Sequence, residues 1–300
     1  MKQIKFSILI TTKNRLEDLK ITILSILHLI EREDVECIIY DDASTDGTFQ
    51  YVETNFPQIT LWQNKRSLGL IHNRNVLFNK CNGKYAISLD DDLNFLIENP
   101  LEKIEDYFNQ NSNCGLITFR IFWNKKEPQT IFTNQCPAIV KTYAGGAHCY
   151  KVDVWNIIPN YPEWFIFYGE EDFASYQLFK KGIEIHYVPD ILVHHRVDLK
   201  SRKKDNDYVI RTRRSLRAGW YLILMFYPLK VIPKILIYTL WIQVKNKTLK
   251  GDLKASFGII LAMFDVILNL PKIIKKSNRL TIDEFNIYNK VEENKLYWTP

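Results

Sequence analysis

The sequence predicts an α/β fold, a doubly wound and mostly parallel sheet flanked by helices, followed by a helical C-terminal extension. Three observations lead there. Strand-like apolar segments alternate with amphipathic helical ones from residue 4 to residue 89, the pattern left by βαβ units. The strands are near-continuous Ile/Leu/Val runs, as expected where both faces of a sheet are covered. Their C-terminal ends carry Thr11, Asp42 and Asp90 to Asp92, and ligands in such sheets sit just outside those ends.

In order, Ile4 to Thr12 is the first expected strand. Asn14 is placed to cap the next helix, where Leu16, Leu19, Ile23, Leu24, Ile26, Leu27 and Ile30 form a wide apolar face. Glu36 to Tyr40 is a second strand, and Asp41 to Gly47 is a loop with several candidate caps ahead of a helix over Thr48 to Asn55. Thr60 to Gln63 reads as a third strand, Leu70 to Asn79 as a helix, and Lys84 to Leu89 as the strand that delivers three aspartates. A helix over Pro100 to Asn109 and a strand over Gly115 to Trp123 follow. Gly145-Gly146 suits either a tight turn between strands or a close approach of backbone to a ligand. Glu170-Glu171-Asp172 opens a helix that continues to Lys181 and stops at Gly182; acids in a first turn are favoured by the helix dipole, so a structural role also accounts for them. Ile183 to Val188 is a strand, and a separate short apolar run ends in His194 and His195.

Composition narrows the function. Three hundred residues with 46% hydrophobic content supply a sizeable core. The five cysteines (Cys37, Cys81, Cys114, Cys136, Cys149) lack CxxC or Cys/His spacing and read as reduced thiols of a cytosolic protein, not as a zinc site. The chain enters its first strand without a secretory pattern, so the expected location is the cytoplasm, at the inner face of the cell membrane. A net charge of +6 suits phosphate-bearing partners or an anionic membrane surface. The first βα turn, Thr12-Lys13-Asn14-Arg15, lacks GxGxxG, and no P-loop is present; NAD enzymes and P-loop NTPases are disfavoured.

Asp90-Asp91-Asp92 ends an apolar strand, where unpaired carboxylates are too costly to bury. Carboxylate oxygens are hard ligands suited to Mg²⁺ or Mn²⁺, whose open positions substrate phosphates fill. A solvated acidic loop or a surface Ca²⁺ site is the plainer alternative. His194 and His195 offer a further ligand at a neighbouring strand end.

Together, the blocks Thr11-Thr12-Lys13-Asn14-Arg15, Tyr40 to Thr48, Gly69 with Arg74-Asn75, Leu89 to Asp92, Gly145-Gly146, and Glu171-Asp172 ahead of Lys181-Gly182 resemble a family 2 glycosyltransferase of the GT-A fold. The likeness runs from about Ile4 to about His195. It implies a Rossmann-like nucleotide-diphospho-sugar transferase domain over residues 1–198, with 199–300 a basic, amphipathic helical region. It implies that Asp42 recognises the nucleotide base with Thr11 and Thr12 beside it. Asn14, Arg15, Arg74 and Asp91 are expected on the nucleotide sugar as well. Asp90 is expected toward ribose and metal, Asp92 as the direct ligand of Mn²⁺ or Mg²⁺, and His195 or His194 as a further ligand. Asp172 matches the catalytic base, while Gly145, Gly146 and Glu171 face the acceptor. Ala43 stands where the family often has Gly. No QxxRW block of processive synthases is present, so one hexosyl or deoxyhexosyl unit per encounter is expected. A metal acting on the leaving diphosphate and a carboxylate deprotonating the acceptor hydroxyl describe a single displacement, which inverts the anomeric carbon.

Beyond His195, Lys200 to Lys204 and Arg211, Arg213, Arg214 and Arg217 precede apolar runs over 220–227, 231–244 and 257–270. Pro228, Pro233, several lysines and Asp265 interrupt them, which speaks against a membrane-spanning helix. Basic residues beside Trp, Tyr and Leu suit helices lying in a membrane interface, with a glycan or lipid-linked acceptor at hand. An ordinary helical subdomain or a homodimer interface is the alternative. No recognition motif for nucleic acid accompanies the arginines. Two rival functions are a sugar nucleotidyltransferase, which wants a glycine-rich basic first loop, and a non-catalytic sugar-nucleotide-binding scaffold.

Overall fold

The computed structural model describes residues 3–197, 207–295 and 297–299. The basic run Lys200 to Lys204 and the expected boundary between 198 and 199 lie outside the described residues. The chain begins β1 (Phe6–Thr12), α1 (Leu16–Ile30), β2 (Val35–Asp41), α2 (Thr48–Asn55), β3 (Thr60–Gln63), α3 (Leu70–Lys80) and β4 (Tyr85–Asp90). It continues with β5 (Leu93–Phe95), α4 (Pro100–Gln110), β6 (Cys114–Trp123), β7 (Ala138–Ile139), β8 (Ala147–Lys151), α5 (Val152–Asn156), α6 (Glu170–Lys180) and β9 (Glu184–His195). Four helices complete it: α7 (Tyr208–Phe226), α8 (Ile232–Asn246), α9 (Leu253–Lys275) and α10 (Ile282–Tyr288).

The strands form one sheet in the order β3-β2-β1-β4-β8-β6-β9-β5, with β7 also on β9. β1 pairs parallel with β2 and β4, so Thr11 lies opposite Tyr40 on one side and Asp90 on the other. The first half is the predicted doubly wound sheet. The second half is mixed, because β8 runs antiparallel between β4 and β6 while β6 and β9 are parallel. Ile8 and Ile10 of β1 are fully buried, each contributing about 1.5–3 kcal/mol of transfer free energy.

Local chemistry explains where the expectations shift. Asn14 is not the cap of α1: it sits at φ 51° and its Oδ1 accepts from the Thr45 N–H. Asp46 takes that role from the neighbouring loop, its Oδ2 accepting from Leu16 N–H at the start of α1 and its Oδ1 from Thr48 N–H at the start of α2. One carboxylate thereby ties two helix starts to the turns that follow β1 and β2. Leu24, expected on the apolar face of α1, is 59% exposed, while Thr22 is buried there with its hydroxyl donating to Asp91 O. The strand expected to stop at Val188 and the run ending at His195 are a single strand. β9 carries a bulge, Phe119 pairing with Val188 and Arg120 with Leu192; Pro189 falls inside the bulge, where its missing N–H costs no ladder bond. The three-residue β5 and two-residue β7 are too short to carry a periodic signal.

The C-terminal helices share the core of the sheet. One cluster runs from Leu9 and Ile38 through Phe173 and Tyr221 to Ile273 and Tyr288. The tail returns to the sheet as well: Trp298 N–H donates to Ile121 O, and its ring lies 4.3 Å from the Arg120 guanidinium. α9 is fixed to α7 by the buried Asp265, whose carboxylate accepts from Arg213 and Arg217. Burial opposes that negative charge, but the two arginines outweigh it and hold the carboxyl below its ordinary range. Replacing one partner leaves a buried uncompensated cation at Arg217. Asp265→Ala is expected to lower stability by about 3–5 kcal/mol in urea unfolding, and a loss under about 0.5 kcal/mol would show that the pair does not anchor α9.

Candidate active site

The parallel register of β1, β2 and β4 sets Thr11 and Thr12, Asp42, and Asp90 at one edge. The edge is locked from behind. Asp42 N–H donates to Thr12 O, the Thr22 hydroxyl to Asp91 O, and Arg196 N–H to Asp92 O. Arg196, which the sequence reading missed, also reaches Asn94 Oδ1 and Thr22 Oγ1 with its guanidinium. Its only sequence signal was its place directly after the two histidines.

Each aspartate has a distinct environment. Asp42 accepts from Ser67 Oγ (2.6 Å), Leu68 N–H (2.8 Å) and Asn64 Nδ2 (2.9 Å). Burial favours its neutral form, yet these donors more than offset that and keep it ionised below the usual carboxylate range. Asp91 is nearly inaccessible and points at Thr12 Oγ1 (2.8 Å) and Arg15 (3.3 Å). Burial is its largest influence and pushes its pKa up to about 7. Asp92 is fully buried between Arg15 Nη2 (2.7 Å) and His195 Nε2 (2.9 Å). Burial is opposed there by both partners, which bring the carboxyl down to about 2. Arg15 thus meets acids of the same edge, and Asn14 braces the loop after β2.

Asp90, Asp92 and His195 each offer a ligand atom, and these atoms lie within 4.8 Å of one another. Two carboxylate oxygens and an imidazole suit Mn²⁺ or Mg²⁺. The fit is supported by a buried orphan, since His195 Nδ1 has no hydrogen-bond partner among the described residues and the residue is 3% exposed. His194 is not part of this group. Side chains alternate along β9, so its ring faces the other side of the sheet and its Nε2 lies 2.7 Å from Asn124 O. Strand parity thus puts His195, and not His194, beside Asp90 and Asp92.

A second charged cluster adjoins the first. Arg74, on the buried polar face of α3 with Asn73 and Asn75, is 4% exposed. Its Nη2 donates to Asp90 Oδ1 (2.9 Å) and Gly145 O (2.8 Å), and its Nη1 to Glu170 Oε1 (3.1 Å), with Glu171 at 3.8 Å. Arg74, expected on the donor, directs its guanidinium at the protein's own acids and lines the larger of two cavities over the site. Burial raises the pKa of both Glu170 and Glu171, their mutual repulsion adds to it for Glu171, and Arg74 pulls the other way. Glu170 was not singled out as a site residue; nothing in a run of three acids marks which one meets a cation.

The glycine pair is required by close approach. A Cβ on Gly145 would fall 1.9 Å from Glu171 Oε1, and one on Gly146 would fall 2.8 Å from Asp90 Oδ2. Both glycines therefore press backbone against site carboxylates. Asp172 differs from its neighbours. Among the described residues no hydrogen bond reaches its carboxylate, and burial, followed by repulsion from Glu171 and Glu293, pushes its pKa up to about 7.

Two cavities meet over these groups. One, of about 320 Å³, is lined by Thr11, Thr12, Arg15, Asp42 and all three aspartates of the strand end. The other, of about 660 Å³, is lined by Arg74, Gly145, Gly146, Glu171 and Asp172. Leu70, Asp90, Phe167 and His195 line both. The candidate ligand group therefore stands at their junction. Phe167 is held there by a loop in which Ile166 (φ 70°) and Tyr168 (φ 71°) adopt left-handed backbone. Such conformations cost about 1–3 kcal/mol each and cluster at functional sites.

Comparison with known proteins bears on the fold and the family. A family model described as glycosyl transferase family 2 matches residues 7–171. A sequence search of curated proteins finds no match. Similar solved structures include GalNAc-T7 with UDP, GalNAc and Mn²⁺, at TM-score 0.56 and 17% identity over 72% of this chain and 48% of that one. They include Staphylococcus aureus TarS residues 1–349 with UDP-GlcNAc, at TM-score 0.51 and 18% identity over 70% of this chain and 64% of that one. The mannosyltransferase PcManGT from Pyrobaculum calidifontis, solved with GDP-Man and Mn²⁺, is similar at TM-score 0.56 and 15% identity over 96% of this chain and 84% of that one. The chain thus spans about half the length of the GalNAc-T7 chain and under two thirds of the TarS chain. These likenesses define the fold as GT-A, and since the family match covers more than half of its 300 residues, the chain belongs to glycosyl transferase family 2.

Proposed function

We propose that the chain transfers a sugar from a nucleotide-diphosphate donor to a hydroxyl acceptor, with inversion and with Mn²⁺ or Mg²⁺ as cofactor. The observation that carries the reading is the Asp90, Asp92 and His195 group at the junction of two cavities, with the Asp172 carboxylate, which no hydrogen bond reaches among the described residues, on the second. The smaller cavity takes the nucleotide, its Asp42 edge facing the base and its strand-end aspartates the diphosphate. A divalent ion bound there supplies Lewis-acid stabilisation to the leaving diphosphate. The larger cavity takes the acceptor, a glycan or lipid-linked alcohol. Asp172 accepts the proton of the attacking hydroxyl as the new glycosidic bond forms on the face opposite the departing diphosphate. Its environment suits that task, because a base works best with a pKa near the working pH. Similar structures hold UDP-GlcNAc and GDP-Man, which supports a nucleotide-sugar donor and leaves its sugar to experiment.

Asp172→Asn is expected to retain donor binding by calorimetry and to lose transfer by about 10²–10⁴-fold; normal transfer would return Asp172 to a helix-start role. The same residue gives a pH signature. Its folded pKa of about 7 lies above the ordinary aspartate value, so wild-type transfer rises with pH through about 7 as the base form appears. The sign for stability is opposite. Ionising this half-buried carboxyl beside Glu171 disfavours the folded state as pH rises from the unfolded value through 7. Asp172→Asn should therefore melt above wild type at pH 8 and beside it near pH 4, and an unchanged difference across that range would contradict the raised pKa.

Asp92→Ala is expected to abolish Mn²⁺-dependent binding of a nucleotide-diphosphate sugar, an effect that chelation of the wild type reproduces. Full donor affinity in the presence of chelator would overturn the metal assignment. The anomeric configuration of the product, read by NMR coupling constants, is expected to be opposite to that of the donor.

A further inference from the structure

The last helices leave an apolar surface that none of the described residues covers. α8 and α9 both lie on α7, and their inward residues close a small cluster with Trp220, Ile223, Ile232, Ile259 and Ala262. Their outward residues stay apolar. On α9, Phe257, Ile260, Phe264, Ile267, Leu268 and Ile274 are 50–76% exposed. Their three- and four-residue spacing makes one stripe along a helix about 35 Å long. On α8, Ile237, Tyr238 and Trp241 are 53–70% exposed. Singly exposed apolar residues need no explanation, but a contiguous stripe marks an interaction surface.

The charge around the stripe selects the partner. Residues 229–276 hold nine lysines and two aspartates. Both aspartates are already engaged, Asp265 by Arg213 and Arg217, and Asp252 by Ala255 N–H and the Tyr208 hydroxyl. Lysines alone therefore rim the apolar residues, at the turn between the helices (Lys245, Lys247, Lys250, Lys254) and at the end of α9 (Lys272, Lys275, Lys276). Apolar side chains with Trp and Tyr among them, bordered by lysine, match the acyl boundary and anionic headgroups of a bilayer. A second copy would instead bring its own lysines against these.

By length and composition α9 could cross a membrane, but its other face is committed. A Cβ on Gly258 would lie 3.1 Å from Val209 O and from Thr212 Cβ, and Asp265 is clamped by two arginines of α7. α9 is therefore part of the packed protein along much of its length and presents only one side outward.

We propose that the outward faces of α8 and α9 seat the protein on an anionic lipid bilayer, with both helices in the plane of the interface and the lysines among the headgroups. α7, which carries them, also lines the larger cavity through Asp207, Arg211 and Arg214, so the seated surface and that cavity share one helix. The inference does not depend on the transfer reaction and its test does not use it.

The test is sedimentation of the full chain with vesicles of phosphatidylcholine alone and of equal parts phosphatidylcholine and phosphatidylglycerol. The protein is expected to sediment with the mixed vesicles and to be released by alkaline carbonate. Phe264→Glu with Ile267→Glu should lower the partition constant at least tenfold. Lys272→Glu with Lys275→Glu and Lys276→Glu should lower it about 100-fold on mixed vesicles, at about fivefold per lysine, and little on phosphatidylcholine. Both sets lie on exposed positions and should keep the wild-type circular dichroism and melting temperature. Protein that stays in the supernatant overturns the proposal. So does undiminished binding by the glutamate variants, or retention after carbonate, which would mean that α9 spans the bilayer. A wild-type dimer by light scattering that Phe264→Glu with Ile267→Glu converts to monomer would assign the face to a second copy instead.

Discussion

The site depends on one buried cation. Arg74 is 4% exposed, and its guanidinium meets Asp90 at the end of β4, Glu170 and Glu171 at the start of α6, and the carbonyl of Gly145 in the loop before β8. Three acids so close could not share that space without a counter-charge, and a buried guanidinium could not stand without them. The pairing is less a source of stability than of geometry, since a buried ion network gains little over an apolar core of the same shape. What it does fix is the relation of two elements far apart in sequence. α6 brings Asp172 to the larger cavity, and the end of β4 brings Asp90, with Asp92 two residues on, to the junction that His195 of β9 completes. Gly145 and Gly146 are the steric counterpart, because any side chain there would collide with the same carboxylates.

The acids divide by environment. Asp42 and Asp92 are ionised because donors and cations outweigh burial, whereas Asp91, Glu171 and Asp172 are pushed toward neutrality by burial first and then by the carboxylates beside each of them. Such divergence among neighbouring carboxylates is how one site holds both a cation-binding group and a proton acceptor near neutral pH. The left-handed backbone at Ile166 and Tyr168, which holds Phe167 over both cavities, adds strain that a purely structural loop would have little reason to keep.

Much of this was legible in the sequence. The strands β1, β2 and β4 announce themselves because burial on both faces leaves continuous apolar runs, and Thr48–Asn55 and the edge strand Thr60–Gln63 fall where propensity and caps put them. The strand-end aspartates were legible because a buried strand ending in acid demands a partner. What was hidden was three-dimensional in origin. Asp46, not Asn14, caps α1 because the loop after β2 folds across its start. The acids that meet Arg74 were hidden because they lie 16 to 97 residues away in sequence. His194 and His195 could not be separated until the bulge at Pro189 set the parity of β9. The antiparallel β8 was hidden because a five-residue strand beside a glycine pair reads equally well as a turn.

The central claim is that Asp90, Asp92 and His195 hold a divalent ion against the donor diphosphate. The most direct measurement is anomalous diffraction at the manganese edge from crystals of the full chain grown with Mn²⁺ and a nucleotide-diphosphate sugar. The account predicts a peak within about 2.3 Å of an Asp92 oxygen and of a His195 ring nitrogen, with diphosphate oxygens completing the shell. Donor bound in the smaller cavity with no peak there, or a manganese peak at a site that excludes Asp92, would contradict it.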